Sequence, residues 1–173
     1  MIDFSRFLLQ NGQVEFTKAN FDSTKSQAEE YYKTIGEVFC PYLQSKVSFN
    51  IKGLDHIKFK EWGKVRSTQD QYVRLRLLKT APQILKQSYT LQEFFETNRL
   101  ERQKINSRWE NRMINVKYYG FVAIINKHRL KVIVKEIQGG NKFFWSLIPF
   151  WKVGKNVINH NKKILHEGDL EVE

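Results

Sequence analysis

A single cysteine, Cys40, excludes an intramolecular disulfide and a thiolate zinc ribbon. A chain without disulfides fits a reducing compartment, and within EVFCPYL the thiol reads as a small buried hydrophobe rather than a nucleophile. Three prolines and nine glycines are too few for a low-complexity or disordered protein. No run reaches the roughly 18 apolar residues that cross a bilayer. The opening MIDFSRFLLQNG carries Asp3 and no apolar h-region, so it does not read as a secretory signal. The expectation is an unanchored, cytoplasmic protein. Acidic side chains are also scarce, with 18 Asp and Glu against 29 Lys and Arg. The resulting charge of +11 favours a polyanionic partner such as RNA, DNA or anionic lipid. There is no Walker A loop, dinucleotide fingerprint or HExxH pair, and no Gly-x-Ser-x-Gly elbow. No cofactor is implied.

What is present suits one domain with a real core, since 41% of the residues are hydrophobic and 14% aromatic. The expected organisation is an N-terminal helical segment over 1–45, an α+β core over 46–155, and a tail over 156–173. Residues 1–22 are poorly periodic and read as a short strand or helix laid over the body. Ser23 to Val38 is predicted helical, capped by Asp22 or Ser23, with Tyr31, Ile35 and Val38 on one face and Pro41 as its stop. Lys46–Lys52 (KVSFNIK) alternates as a half-buried strand, with Val47, Phe49 and Ile51 pointing one way. Ser67 begins a helix, with Asp70 completing a pattern like a capping box. Tyr72, Val73, Leu77, Ile84 and Leu85 supply its apolar positions, and Arg74, Arg76, Lys79 and Lys86 its wet face. Pro82 splits it in two.

Between Thr90 and Val116 both a helix and charged strands are compatible with the residues, and an extended hairpin arm is favoured. Tyr118 to Lys152 reads as three strands, with turns at Asn126–Arg129 and at Gly139-Gly140-Asn141, where glycine readily supplies positive φ. The fold class expected is α+β, with N-terminal helices followed by a twisted antiparallel sheet of about four strands.

Three constellations could carry chemistry. His56 and Lys58 follow a predicted strand, and Arg66 precedes a helix. An imidazole can move a proton near neutral pH, and cations stabilise the charge that builds on a phosphate in flight. Such a group can cleave RNA without a metal, although a lone histidine between a strand and a loop is most often a surface or hydrogen-bonded group. The second constellation is Trp145, Ser146 and Lys152. The hydroxyl and the ammonium suit phosphate oxygens and the indole suits an unpaired base, but aromatic residues there serve equally well as core. The third is the run Arg99, Arg102, Lys104, Arg108 and Arg112, either a solvated face or a phosphate track. His160 and His166, with Glu167 and Asp169, form a remote candidate for a metal, and no metal is expected. FFWSLIPFWK also has the composition of an interfacial membrane anchor, but it is short, contains Pro149 and continues a strand pattern.

DHIKFK after a strand, an arginine ahead of RLRLLKTAPQIL, and a closing FFWSLIP together resemble the phage-type members of the barnase, EndoU, colicin and RelE superfamily of metal-independent ribonucleases. The resemblance covers roughly Val47 to Lys152. It implies a small helical segment and a four-stranded antiparallel sheet whose concave face holds RNA. His56 then matches the early histidine, Arg66 the basic residue before the helix, and Ser146 the polar group of the last strand, with Lys58 and Lys152 as weaker matches. A second histidine in the sheet is missing, which leaves the general acid unassigned, and the arm over 90–116 has no counterpart. The implied setting is toxin-like, in mobile elements, with an acidic antitoxin or immunity protein as partner. The expected function is an endoribonuclease that leaves a 2′,3′-cyclic phosphate. Its alternative is a non-catalytic nucleic-acid-binding or assembly protein that uses the same basic sheet, with Lys152, Trp145, Arg102, Arg108 and Lys104 as contacts.

Overall fold

The apolar alternation of the second half of the chain builds a four-stranded meander, and the first half supplies the helices over one of its faces. The computed structural model describes residues 17–60, 63–125 and 128–149. In chain order these form α1 (Lys18–Ile35), β1 (Glu37–Cys40), β2 (Ser45–Ser48), α2 (Ile51–Lys58), α3 (Thr68–Leu77), a 3₁₀ turn (Leu78–Thr80), α4 (Ala81–Lys86), β3 (Glu93–Ile105), β4 (Arg108–Ile125), β5 (His128–Ile137) and β6 (Lys142–Pro149). Lys152, the histidines of the tail and residues 1–16 lie outside the described residues.

The α+β class holds, but the sheet has six strands rather than about four, in the order β1-β2-β6-β5-β4-β3. It is mixed rather than purely antiparallel, because β2 runs parallel to β6 with Val47 beside Lys142. β1 is a strand that was not expected, drawn from the predicted end of the first helix, whereas β2 keeps the first part of the strand expected over Lys46–Lys52. Thr17 rather than Asp22 or Ser23 caps α1, its side chain accepting from the Asn20 N–H at 3.2 Å. Gly36, at φ +64°, ends the helix well before Pro41. Val38 is thereby released into β1, where it is buried, and Tyr32 rather than Tyr31 faces the core.

A second correction concerns KVSFNIK, which does not remain a strand to its end. The Asn50 side chain accepts from the N–H groups of Lys52 and Gly53 at 3.1 and 3.3 Å. An asparagine that caps in this way diverts the backbone from sheet to helix. Ile51 becomes the first residue of α2 and is 64% exposed. His56 therefore stands on a helix, not in a loop. The expected domain division at 45 and 46 falls inside β2.

Elsewhere the local signals match the structure. Ser67 accepts from the Asp70 N–H at 3.2 Å, and Pro82 stands in the first turn of α4. β3 and β4 form a hairpin arm whose turn residues Asn106 and Ser107 both have positive φ. Gln138 and Gly139 take positive φ after β5. Arg74, expected on the wet face, is 6% exposed.

The main core lies between the helices and one sheet face, with Tyr32, Leu54, Leu78, Leu85, Phe121 and Phe144 among its members. Phe49 stacks on Phe144 at 4.9 Å and Tyr32 meets Phe49 edge-on at 5.6 Å. Aromatic pairs of this kind contribute about 0.5–1.5 kcal/mol each beyond their burial, and here they clamp α1 and the entry to α2 onto β6. A smaller cluster of Ile114, Val116, Tyr118 and Ile133 includes partly buried Trp145. Among the described residues no helix is long and apolar enough to cross a membrane.

Candidate nucleic-acid site

A bulge in β6 builds the site. Ile133 pairs with Ser146 and Val134 with Phe144, so Trp145 is the extra residue. A bulge re-aims the side chain it carries. Phe144 enters the main core, whereas Phe143 and Trp145 line a cleft beside α2. α2 can lie close enough to reach them because Gly53 abuts the Phe144 main chain and presents no side chain there. One turn further on, the His56 ring stacks on Trp145 with centroids 4.1 Å apart. The Lys135 ammonium stands 4.1 Å from the Trp145 ring centre and 5.2 Å from that of Tyr118.

His56 is 5% exposed, and neither ring nitrogen makes a well-formed hydrogen bond within the protein; the Trp145 indole N–H is likewise unpartnered. Buried polar groups are normally paired, so two orphaned titratable nitrogens at a cleft need a reason. Burial first, and then the charges of Arg66, Arg74 and Lys135, push the imidazole down to about 3, opposed only weakly by the Trp145 main chain. At neutral pH it is an uncharged base surrounded by cations.

A buried network holds this helix and strand together. Arg66 Nε donates to the His56 carbonyl at 3.1 Å, and its guanidinium pairs with Asp70 at 3.4 Å. Asp70 also accepts from Arg74 Nε at 2.8 Å. Arg74 in turn donates to Ser146 Oγ at 3.2 Å and to the Leu147 carbonyl at 2.8 Å. Burial and the neighbouring Arg74 lower Arg66 to about 10, with Asp70 opposing. The network reaches His56 only at its main-chain carbonyl, and Ser146 joins it through Arg74 rather than through Arg66 or the imidazole. Arg66 and Ser146 stand behind the imidazole, at 3% and 0% exposure, rather than on the cleft wall.

The cleft has a volume of about 620 Å³, and Lys52, Lys60, Arg99 and Lys135 supply its cations beside Asp55, His56, Phe143 and Trp145. Lys58 points elsewhere, pairing with Glu29 at 3.3 Å and Asp55 at 3.7 Å. Arg102, Lys104 and Arg108 lie exposed along the arm. The arm cannot be one phosphate track, because strand alternation sends Arg102 and Lys104 to one face and Arg99, Arg108 and Arg112 to the other.

The sequence reading missed Asp70, Arg74, Lys135, Lys52 and Lys60. Two signals could have found some of them. Asp70 and Arg74 have the spacing of a helical ion pair, and Lys135 interrupts the apolar run VIVKEI. Among the described residues no group of three or more His, Cys, Asp or Glu is gathered as a metal would require. No family model matches the chain, and neither a curated protein nor a solved structure matches it.

The imidazole makes stability depend on pH. The unfolded chain takes up this proton below about 6.5, the folded one only near 3. The native state therefore keeps its full stability above that upper value and loses it as pH falls through the interval. For one such group the loss between pH 7 and pH 5 is about 2 kcal/mol. His56→Phe keeps an aromatic ring against Trp145 and removes the proton site. Urea unfolding of the two chains should show the variant losing less stability than the parent by that amount.

Proposed function

We propose that the cleft over His56 binds the sugar–phosphate backbone of RNA, and that the chain is a metal-independent endoribonuclease. The observation that carries this reading is the buried imidazole, neither of whose nitrogens makes a well-formed hydrogen bond, beside a cleft lined by four cations. A phosphodiester entering among Lys52, Lys60, Arg99 and Lys135 adds negative charge to a cleft whose lining holds these four cations and one carboxylate, Asp55. That charge offsets the cations that hold the imidazole's proton affinity down, so base strength rises where a 2′-hydroxyl must be deprotonated.

The 2′ oxygen attacks the adjacent phosphorus and its proton passes to His56. The P–O5′ bond breaks, a 2′,3′-cyclic phosphate forms, and the departing 5′ oxygen takes one proton from solvent water, the proton on His56 then returning to solvent. The cleft cations stabilise the charge on the equatorial oxygens. Arg66, Arg74 and Ser146 act as positioning residues that fix the α2–β6 geometry. A toxin-like setting with an acidic inhibitor protein is what the superfamily resemblance adds.

One observation favours a second reading, a binding module without catalysis: His56 is only 5% exposed. Incubation with labelled RNA in excess EDTA separates the two. A general base of this type contributes about 10²- to 10⁴-fold, so His56→Ala should lower the cleavage rate by that factor while leaving RNA bound. Binding by the parent chain without cleavage supports the module.

A further inference from the structure

The arm carries a second feature, independent of the cleft. β5 flanks β4 only as far as the Val116–Ile137 pair, and Val116 is opposite Thr97 on β3. Beyond that point β3 and β4 continue as a two-stranded ribbon about 25 Å long. A ribbon of two strands is marginal in water without a packed face. One face of this ribbon carries the directly opposed pairs Leu100–Met113, Arg102–Asn111 and Lys104–Trp109. Its apolar members are left open, with Leu100 65%, Trp109 60% and Met113 64% exposed. The Arg102 guanidinium lies 5.5 Å from the Trp109 ring centre and steadies the indole.

We infer that this ribbon face is a stacking platform for the unpaired bases of single-stranded RNA, with Trp109 as the stacking surface and Arg102 and Lys104 as phosphate contacts. The inference rests on the reading that RNA is the ligand, but its evidence is the ribbon alone. The pairs named contribute two cations, an amide and an indole, and no carboxylate. That chemistry complements a flexible polyanion with exposed planar bases. A second copy docked face to face would bring like charges together. A-form duplex RNA hides its base faces, so the platform discriminates in favour of single strands. Arg99, on the opposite face, lines the His56 cleft, so one hairpin serves both sites.

The test is fluorescence anisotropy with labelled oligoadenylate and with a blunt RNA duplex of equal length, in a His56→Ala background so that cleavage does not intrude. Trp109→Ala should weaken oligoadenylate binding roughly 10- to 100-fold and leave duplex binding essentially unchanged. Trp109→Phe should retain most of the affinity. Arg102→Ala with Lys104→Ala should also flatten the salt dependence, by a log–log slope of about 0.7 for each lost contact. Trp109 is exposed, so circular dichroism should show the fold intact. Unchanged oligoadenylate affinity in Trp109→Ala overturns the inference. So does an equal loss on both ligands, or conversion of a dimer to a monomer, which would assign the face to a second copy. With otherwise unmodified chains, single-strand cleavage that is lost in His56→Ala but untouched by Trp109→Ala tells against the platform and not against the cleft.

Discussion

Asp70→Ala is expected to destabilise the protein by about 3 kcal/mol. Asp70 stands between two guanidinium groups whose side chains are 2% and 7% exposed. Removing the anion leaves both cations desolvated and close together, the situation in which breaking a buried pair costs most. The loss stays near the low end of that range because Asp70 is itself 25% exposed and both arginines keep carbonyl partners. Asp70→Asn, which retains an acceptor, should lose less. The α3 cap survives either change, because the Ser67 contact is to the Asp70 main chain. Urea midpoints for the two variants check this. A loss below about 1 kcal/mol, the scale of a surface pair, would show that the network is solvated in solution.

Gly53→Ala should be damaging against the direction of helix propensity. Inside a helix, alanine is favoured over glycine by up to about 1 kcal/mol. At Gly53, however, a Cβ would overlap the Phe144 carbonyl oxygen and would meet the Tyr32 hydroxyl at 2.7 Å. The first obstacle is backbone and cannot swing aside. α2 must then lift from β6, and overpacking of this severity costs about 3 kcal/mol, the upper part of its usual range. The lift also draws His56 away from Trp145, so the fluorescence attributable to Trp145 should change along with the midpoint. A stabilised Gly53→Ala variant would contradict the close approach of helix and strand on which the cleft depends.

The meander was legible because its strands are rich in β-branched and aromatic residues and its turns carry glycine, asparagine or serine. The arm was legible as a hairpin, but which charges of its two strands share a face depends on the register, which pairs Leu100 with Met113. β1 was hidden because a four-residue strand offers no period and its first residues continue the helical pattern, whereas β2 was legible in KVSFNIK but not its end at Ser48. Both are defined by tertiary contacts, β2 by a parallel neighbour that comes much later in the chain. His56, Arg66 and Ser146 could be proposed as a group only through the superfamily resemblance. Their connection through Asp70 and Arg74 could not, because helical spacing indicates an ion pair without indicating whether it is buried. Lys135 and the pairing of His56 with Trp145 depend on a bulge, and one extra residue in a ladder leaves no local signature in FFWSLIP.

The most direct measurement uses an oligonucleotide with a single ribonucleotide in an otherwise 2′-deoxy strand, incubated in excess EDTA with the parent chain and with His56→Ala. An imidazole that takes the 2′-hydroxyl proton predicts one cut, immediately 3′ to the ribonucleotide, leaving a 2′,3′-cyclic phosphate, and a rate lower by about 10²- to 10⁴-fold in the variant. Cyclic ends formed equally fast by His56→Ala, or tight binding by the parent with no cut at all, contradict it.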